Sequence, residues 1–404
     1  MSSNVWPRVA LISLGGFFEF YDIFFAGYIA PGLVRSGILA SSGIAGGIAG
    51  FVAAMFSGLF VGTALVSFVA DRFGRRTIFT YSLLWYTAAS VVMAFQHHAF
   101  GLNLWRFVSG IGVGVELVTI DTYLSELVPA NLRGRAFAIN QAIQFCAVPM
   151  VALLAWLLVP RAPFGLDGWR WVVLLGATGA IVVWWIRRRV PESPRWLSRP
   201  AGRASFSEMW RPPYRNRSIM LIVFHLFQTV GFYGFSNWVP TLLIARGIAV
   251  TSSLRYTFII AIAAPFGPLF TASIADRLER KWQIVLAAFA IAVCGLLFAR
   301  MNSAAPLIVF GVCLTLANNI LSFSGHAYQT ELYPTRIRAR AVGFVYSWSR
   351  ISVVFSSFVI GFVLEHSGVA GVFTLIAGSM LMVMLAIGLL GPRTNNLPLE
   401  TISQ

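Results

Sequence analysis

Apolar residues fill the chain in runs of about twenty, separated by short polar stretches in which the arginines collect. A helical run of that length crosses a hydrocarbon layer of ~30 Å. The pattern predicts twelve spanning helices, at 9–33, 45–70, 77–97, 102–125, 136–159, 169–187, 218–243, 254–275, 282–300, 304–327, 342–365 and 371–391. Of the 404 residues 58% are hydrophobic and 11% charged, which sets the class as an all-α integral membrane protein. The first run carries Glu19 and Asp22 and has no small-residue cleavage site, so it reads as helix 1 and not as a removed signal peptide.

The formal charge of +16 invites a nucleic-acid reading, but the distribution of the charges argues against it. With the N-terminus placed in the cytoplasm, 22 of the 30 Lys and Arg fall on that side and six at or near the other, while Arg106 and Arg350 sit inside predicted helices. Such a bias sets topology, with both termini cytoplasmic. There is no nucleic-acid-binding module. Cys146, Cys294 and Cys313 all lie within spans and are expected as free thiols. Lys281 is the one lysine against 29 arginines, a bias that base composition can produce, so single surface arginines carry little meaning.

The chain repeats itself. "DRFGRR" from Asp71 returns as "DRLERK" from Asp276, and "YLSELVPANLRGRA" from Tyr123 returns as "YQTELYPTRIRARA" from Tyr328, both at an offset of 205 residues. Two six-helix bundles in parallel orientation follow, 1–190 and 218–404, joined by a polar linker over 191–217. In transporters built this way the substrate site lies near the bilayer midplane between the halves, and access alternates by rocking one half against the other.

These motifs resemble the major facilitator superfamily, in its sugar-porter-like branch and in its branch of aromatic-acid and metabolite:proton symporters. "SFVADRFGRR" meets the family loop pattern with Ser67 in place of the first Gly, and "RFVSGIGVGVE" from Arg106 matches its helix 4. "VPESPRWL" from Val190 resembles the segment after helix 6, and "PRTNNLPLETI" from Pro392 keeps the spacing of the sugar-porter tail. The resemblance implies twelve helices in two pseudo-symmetric bundles and a carrier that functions as a monomer in the cell inner membrane.

Every ionisable group inside a span costs about 2.5–3.5 kcal/mol on insertion scales, so each should face the bundle interior and have a partner. Asp22 lies about 20 Å along helix 1, and Arg106, on the antiparallel helix 4, falls at a comparable depth. A carboxylate that gains and loses a guanidinium partner can bind and release a proton near neutral pH, because desolvation and the cation act on it in opposite senses. The sugar-porter coupling Asp and helix-4 Arg fall on Asp22 and Arg106. A static ion pair that only fixes helices 1 and 4 is the plainer alternative.

"EFYDIFFAGYIAP" from Glu19 fits the helix-1 frame of aromatic-acid:proton symporters. The three-residue spacing puts Glu19 and Asp22 on one helical face, which makes Glu19 a second coupling candidate. Glu116, mid-membrane on helix 4, is a third, and Asp121 nearer the helix end reads as structural or gating. Arg350 lies about 15 Å into helix 11, where its planar fork suits a carboxylate. A salt bridge to one of these acids is the alternative there.

Most of the sugar-porter hydroxyl-binding set is missing: Phe227, Tyr233, Val148 and His326 replace its residues, and Gln228 is kept. The candidate substrate site is Arg350 with Gln141, Gln144, Gln228, Tyr233, Asn237, Trp238 and His326. A mostly apolar site with a few polar groups and one Arg suits a small organic anion, an aromatic or other monocarboxylate. Gating ion pairs are expected at the cytoplasmic helix ends among Asp71, Arg72, Arg75, Glu126, Arg133, Glu192, Asp276, Arg277, Arg280, Glu331 and Arg338. Glu279 stands where the first loop has Gly74 and is expected to weaken the second cluster.

The reading is a proton-coupled symporter that imports a small organic anion, with protons and the lipid bilayer as its other partners. A sugar or polyol carrier, an antiport exporter and a non-transporting receptor are the rivals. No nucleophile–base set, metal cluster or phosphate loop points to an enzyme or to a cofactor.

Overall fold

The computed structural model describes residues 5–40, 47–73, 75–128, 132–187, 206–274 and 278–394. The chain folds into helices α1 (Val5–Arg35), α2 (Ile48–Phe73), α3 (Arg75–Ala94), α4 (Ala99–Leu127), α5 (Arg133–Phe145), α6 (Ala147–Leu158) and α7 (Gly168–Arg187). After a 3₁₀ turn at Phe206–Trp210 come α8 (Tyr214–Ser236), α9 (Val239–Ala245), α10 (Val250–Ala261), α11 (Phe266–Ile274), α12 (Arg280–Arg300), α13 (Ala304–Glu331) and α14 (Thr335–Leu390). Of the expected linker, 191–205 lies outside the described residues.

Three expected spans are broken, each for the same reason. Proline lacks an N–H and its ring clashes with the carbonyl four residues back. Pro149, Pro240 and Pro265 stand four residues after Phe145, Ser236 and Ala261, and these are the last residues of α5, α8 and α10. The fifth, seventh and eighth spans are therefore α5–α6, α8–α9 and α10–α11.

The last two spans differ in the opposite sense: α14 runs as one element through both, with a non-helical residue at Gly368 (φ 64°, ψ −166°). That region is essentially reserved for glycine. With α14 counted as two, the spans number twelve among the described residues.

α2 and α4 touch backbone to backbone. A Cβ on Gly58 would stand 2.0 Å from the Phe107 carbonyl oxygen, on Gly62 2.1 Å from that of Ile111, on Gly110 2.2 Å from that of Met55 and on Gly114 2.3 Å from that of Leu59. This is a reciprocal small-xxx-small contact, the way spanning helices gain dispersion energy where lipid offers no hydrophobic contrast. Large apolar side chains such as Trp85, Phe100, Phe289 and Leu389 are left on the outer surface, as a lipid-facing belt requires.

The halves meet through α1 with α9, α2 with α14, α5 with α11 and α6 with α10. At the end away from the termini the closure is tight. Gly27 of α1 lies against the Asn237 backbone, Gly361 of α14 against Ala49 and Trp238, and the Trp156 and Phe258 rings stack at 5.9 Å.

Candidate functional site

A cavity of about 50 Å³ opens between the halves, walled by α1 and α5 on one side and α8, α13 and α14 on the other. Glu19, Gln141, Gln144, Gln228, Tyr233, His326 and Arg350 all line it, so the structure brings together seven residues that lie 331 positions apart at the extremes. Phe20, Phe24, Phe145 and Phe232 supply the apolar wall, with edge contacts such as Phe20–Phe145 at 5.1 Å.

Arg350 is buried, at 2% exposure. Among the described residues its guanidinium makes two hydrogen bonds, donating from Nη1 to the Tyr233 hydroxyl at 3.0 Å and from Nη2 to the Tyr346 hydroxyl at 2.6 Å. The plane also lies 4.7 Å from the Tyr346 ring centroid. Tyr346 precedes Arg350 by one helical turn and Tyr233 comes from α8, so one local and one tertiary contact orient the fork. Glu19, from the other half, lies within electrostatic reach of the same guanidinium.

Two expected substrate residues lie elsewhere. Asn237 and Trp238 form the break between α8 and α9, and the turn that Pro240 imposes carries them away from the cavity into the closure with Gly27 and Gly361.

Asp22 and Arg106 meet inside the first half. Arg106 Nη1 donates to Asp22 Oδ2 at 3.1 Å, and Nη2 donates to the Asp22 carbonyl at 2.6 Å. Ser90 donates to Oδ1 at 2.7 Å and Ser109 to Oδ2 at 2.9 Å. The guanidinium sits 4.2 Å from the Phe25 ring centroid. Asp22 borders a separate cavity of about 10 Å³ with Phe18, Tyr86 and Ser90. Glu19 and Asp22 therefore do not share a cavity: three residues span 300° of helix, and the remaining 60° is enough to turn one acid to the interface and the other toward α3 and α7. Glu116 is fully buried and lines neither cavity.

At the end that carries the termini, Arg280 Nη1 pairs with Glu331 Oε1 at 2.5 Å, joining α12 to α13 within the second half. Arg338 donates from Nε to the Tyr333 carbonyl at 3.1 Å. Glu279 accepts from the Thr394 backbone N–H at 2.8 Å, and Lys281 donates to the Gly391 carbonyl at 2.8 Å, so this loop holds the segment after α14. Glu192, Asp276 and Arg277 lie outside the described residues, as do the side chains of Asp71, Arg72, Arg75, Asp121, Glu126 and Arg133.

Sequence reasoning missed Ser90, Ser109 and Tyr346. Only Tyr346 left a signal, its one-turn spacing from Arg350.

The chain matches the Major Facilitator Superfamily profile over residues 12–321 and 261–401. It is 30% identical to a putative metabolite transport protein, YyaJ of Bacillus subtilis, over 94% of this chain and 90% of that one. It is 27% identical to the niacin transporter NiaP of Acinetobacter baylyi, over 97% and 95%. Among solved structures, the partially occluded inward-open xylose transporter XylE from E. coli superposes with a TM-score of 0.82 at 18% identity, covering 98% of this chain and all of that one.

Proposed function

We propose, since the chain belongs to the major facilitator superfamily and is a secondary transporter, not an enzyme, that it imports a small organic monocarboxylate, aromatic in kind, together with protons. The observation that carries this reading is Arg350: a buried guanidinium that lines the cavity between the halves and is oriented by two phenols. A planar fork held in that way binds a carboxylate in two-pronged fashion, and the phenylalanine wall accepts a flat ring. The niacin transporter of Acinetobacter baylyi, a relative of this chain, is named for a molecule of that description.

Asp22 with Arg106 is the proton switch in this reading, with Glu19 and Glu116 as further carriers. An anion and a proton moving inward together carry no net charge, so the pH gradient drives them. The protein acts as a monomer in the cell inner membrane with both termini cytoplasmic, as bundles 1–190 and 218–404 joined by the linker 191–217. The gating role of the helix-end arginines and acids belongs to the same proposal.

A neutral sugar is the second reading. Gln141 and Gln228 line the cavity, and an arabinose–proton symporter of Bacillus subtilis is 22% identical over 85% of the chain.

The test is uptake in proteoliposomes of radiolabelled benzene and pyridine monocarboxylates and of pentoses, with and without an inward proton gradient. Gradient-driven uptake of a carboxylate, weakened chiefly through a raised KM when Arg350 is replaced by Ala, supports the proposal. Uptake of a pentose alone, indifferent to Arg350→Ala, overturns it.

A further inference from the structure

Behind the cavity wall lies a polar chain that transport as described above does not use. His225 on α8 and Gln329 on α13 are both 2% exposed, and neither lines the cavity. The His225 Nε2 and the Gln329 Oε1 are 2.8 Å apart, and the Gln329 Nε2 and the His326 Nδ1 are 3.2 Å apart. One amide thus bridges two imidazoles, one buried and one at the cavity.

The bridge dictates protonation. An amide oxygen only accepts and an amide nitrogen only donates, so this arrangement puts a proton on His225 Nε2 and leaves His326 Nδ1 as an acceptor. The neutral His326 ring then carries its proton on Nε2 and offers that donor to the cavity it lines.

Turning the amide over would reverse both rings. His225 would then hold its proton on Nδ1, an atom buried without a hydrogen-bond partner among the described residues. A buried N–H with no acceptor costs more than a buried lone pair, and this favours the orientation seen.

His326 also stands beside the Arg350 anchor. Its ring centroid is 5.0 Å from that of Tyr346, the residue whose hydroxyl accepts from Arg350.

Resting on the monocarboxylate reading, we propose that His326 is a second anchor for the substrate carboxylate, and that Gln329 and His225 are positioning residues that hold it as a donor. A carboxylate accepts only, so it needs donors at every contact. A carboxamide can both donate and accept, and it depends less on which face the imidazole shows. The bridge therefore sets the preference for acid over amide.

The test compares proteoliposome uptake of a pyridine carboxylate and its carboxamide by the full-length protein and its variants. His326→Phe is expected to lower the acid-to-amide ratio of Vmax/KM about tenfold, the worth of one charge-assisted hydrogen bond. Gln329→Met and His225→Phe are expected to lower it about threefold, through the KM of the acid, with Vmax retained.

In the His326→Phe background Gln329→Met should have no further effect, because Gln329 acts through His326. Equal losses for acid and amide, or additive effects in the double variant, overturn the inference. If His225→Phe alone assembles well enough to assay, the same ratio decides. Wild-type protein that takes up neither compound but moves a pentose rejects the monocarboxylate reading and this inference with it; wild-type uptake of the acid with an unchanged ratio in all three variants rejects the inference alone.

Discussion

Arg106 holds Asp22 by two handles, the carboxylate at 3.1 Å and the backbone carbonyl at 2.6 Å, while Ser90 and Ser109 supply the carboxylate with hydroxyl donors. The second handle does not depend on the charge of the acid. In the proposed proton cycle Arg106 would keep this carbonyl contact when Asp22 takes a proton, and the helix pair would stay assembled.

Asp22→Asn is accordingly expected to assemble normally and to bind substrate. It should lose at least tenfold of gradient-driven uptake while retaining exchange of labelled for unlabelled substrate. Counterflow in proteoliposomes checks this, and loss of exchange along with uptake would make the pair purely structural.

Glu19 lines the cavity between the halves and Asp22 does not, so the two acids should fail differently. Glu19→Gln is expected to change substrate KM several-fold and to leave the coupling of uptake to the gradient in place. Uptake at varied substrate and fixed gradient, compared side by side with Asp22→Asn, separates the two.

Arg350→Lys keeps the charge and loses the fork. The expected result is a rise in KM for the carboxylate of about ten- to hundredfold, close to that of Arg350→Ala, because the two-pronged geometry and not the charge alone supplies the binding. Tyr233→Phe removes one of the hydroxyls that orient the fork and should raise KM about threefold.

Gly368 takes a backbone conformation that other residues reach only under strain. Gly368→Ala should destabilise the last helix pair by about 1–3 kcal/mol without touching the cavity. A lower melting temperature in detergent with unchanged KM is the expected pair of results. Its Cβ would meet open space, so crowding does not contribute.

Twelve spans, their repeat at 205 residues and the isolated charges of Glu19, Asp22, Arg106 and Arg350 were legible in the sequence, because burial in lipid penalises every charge and leaves those present conspicuous. The proline breaks were not foreseen: the fifth, seventh and eighth spans were expected unbroken, and the structure divides them at Pro149, Pro240 and Pro265. The tertiary structure alone decided which groups meet. The partners of Asp22 come from α3 and α4, and those of Arg350 include a tyrosine 117 positions away. The assignment of Glu19 and Asp22 to different cavities turned on 60° of helix rotation, and Asn237 and Trp238 left the cavity because a turn redirected them. Hydrophobic length sets which segments cross the membrane; the rotation of each helix about its own axis is set by packing against neighbours, and that is where the site is made.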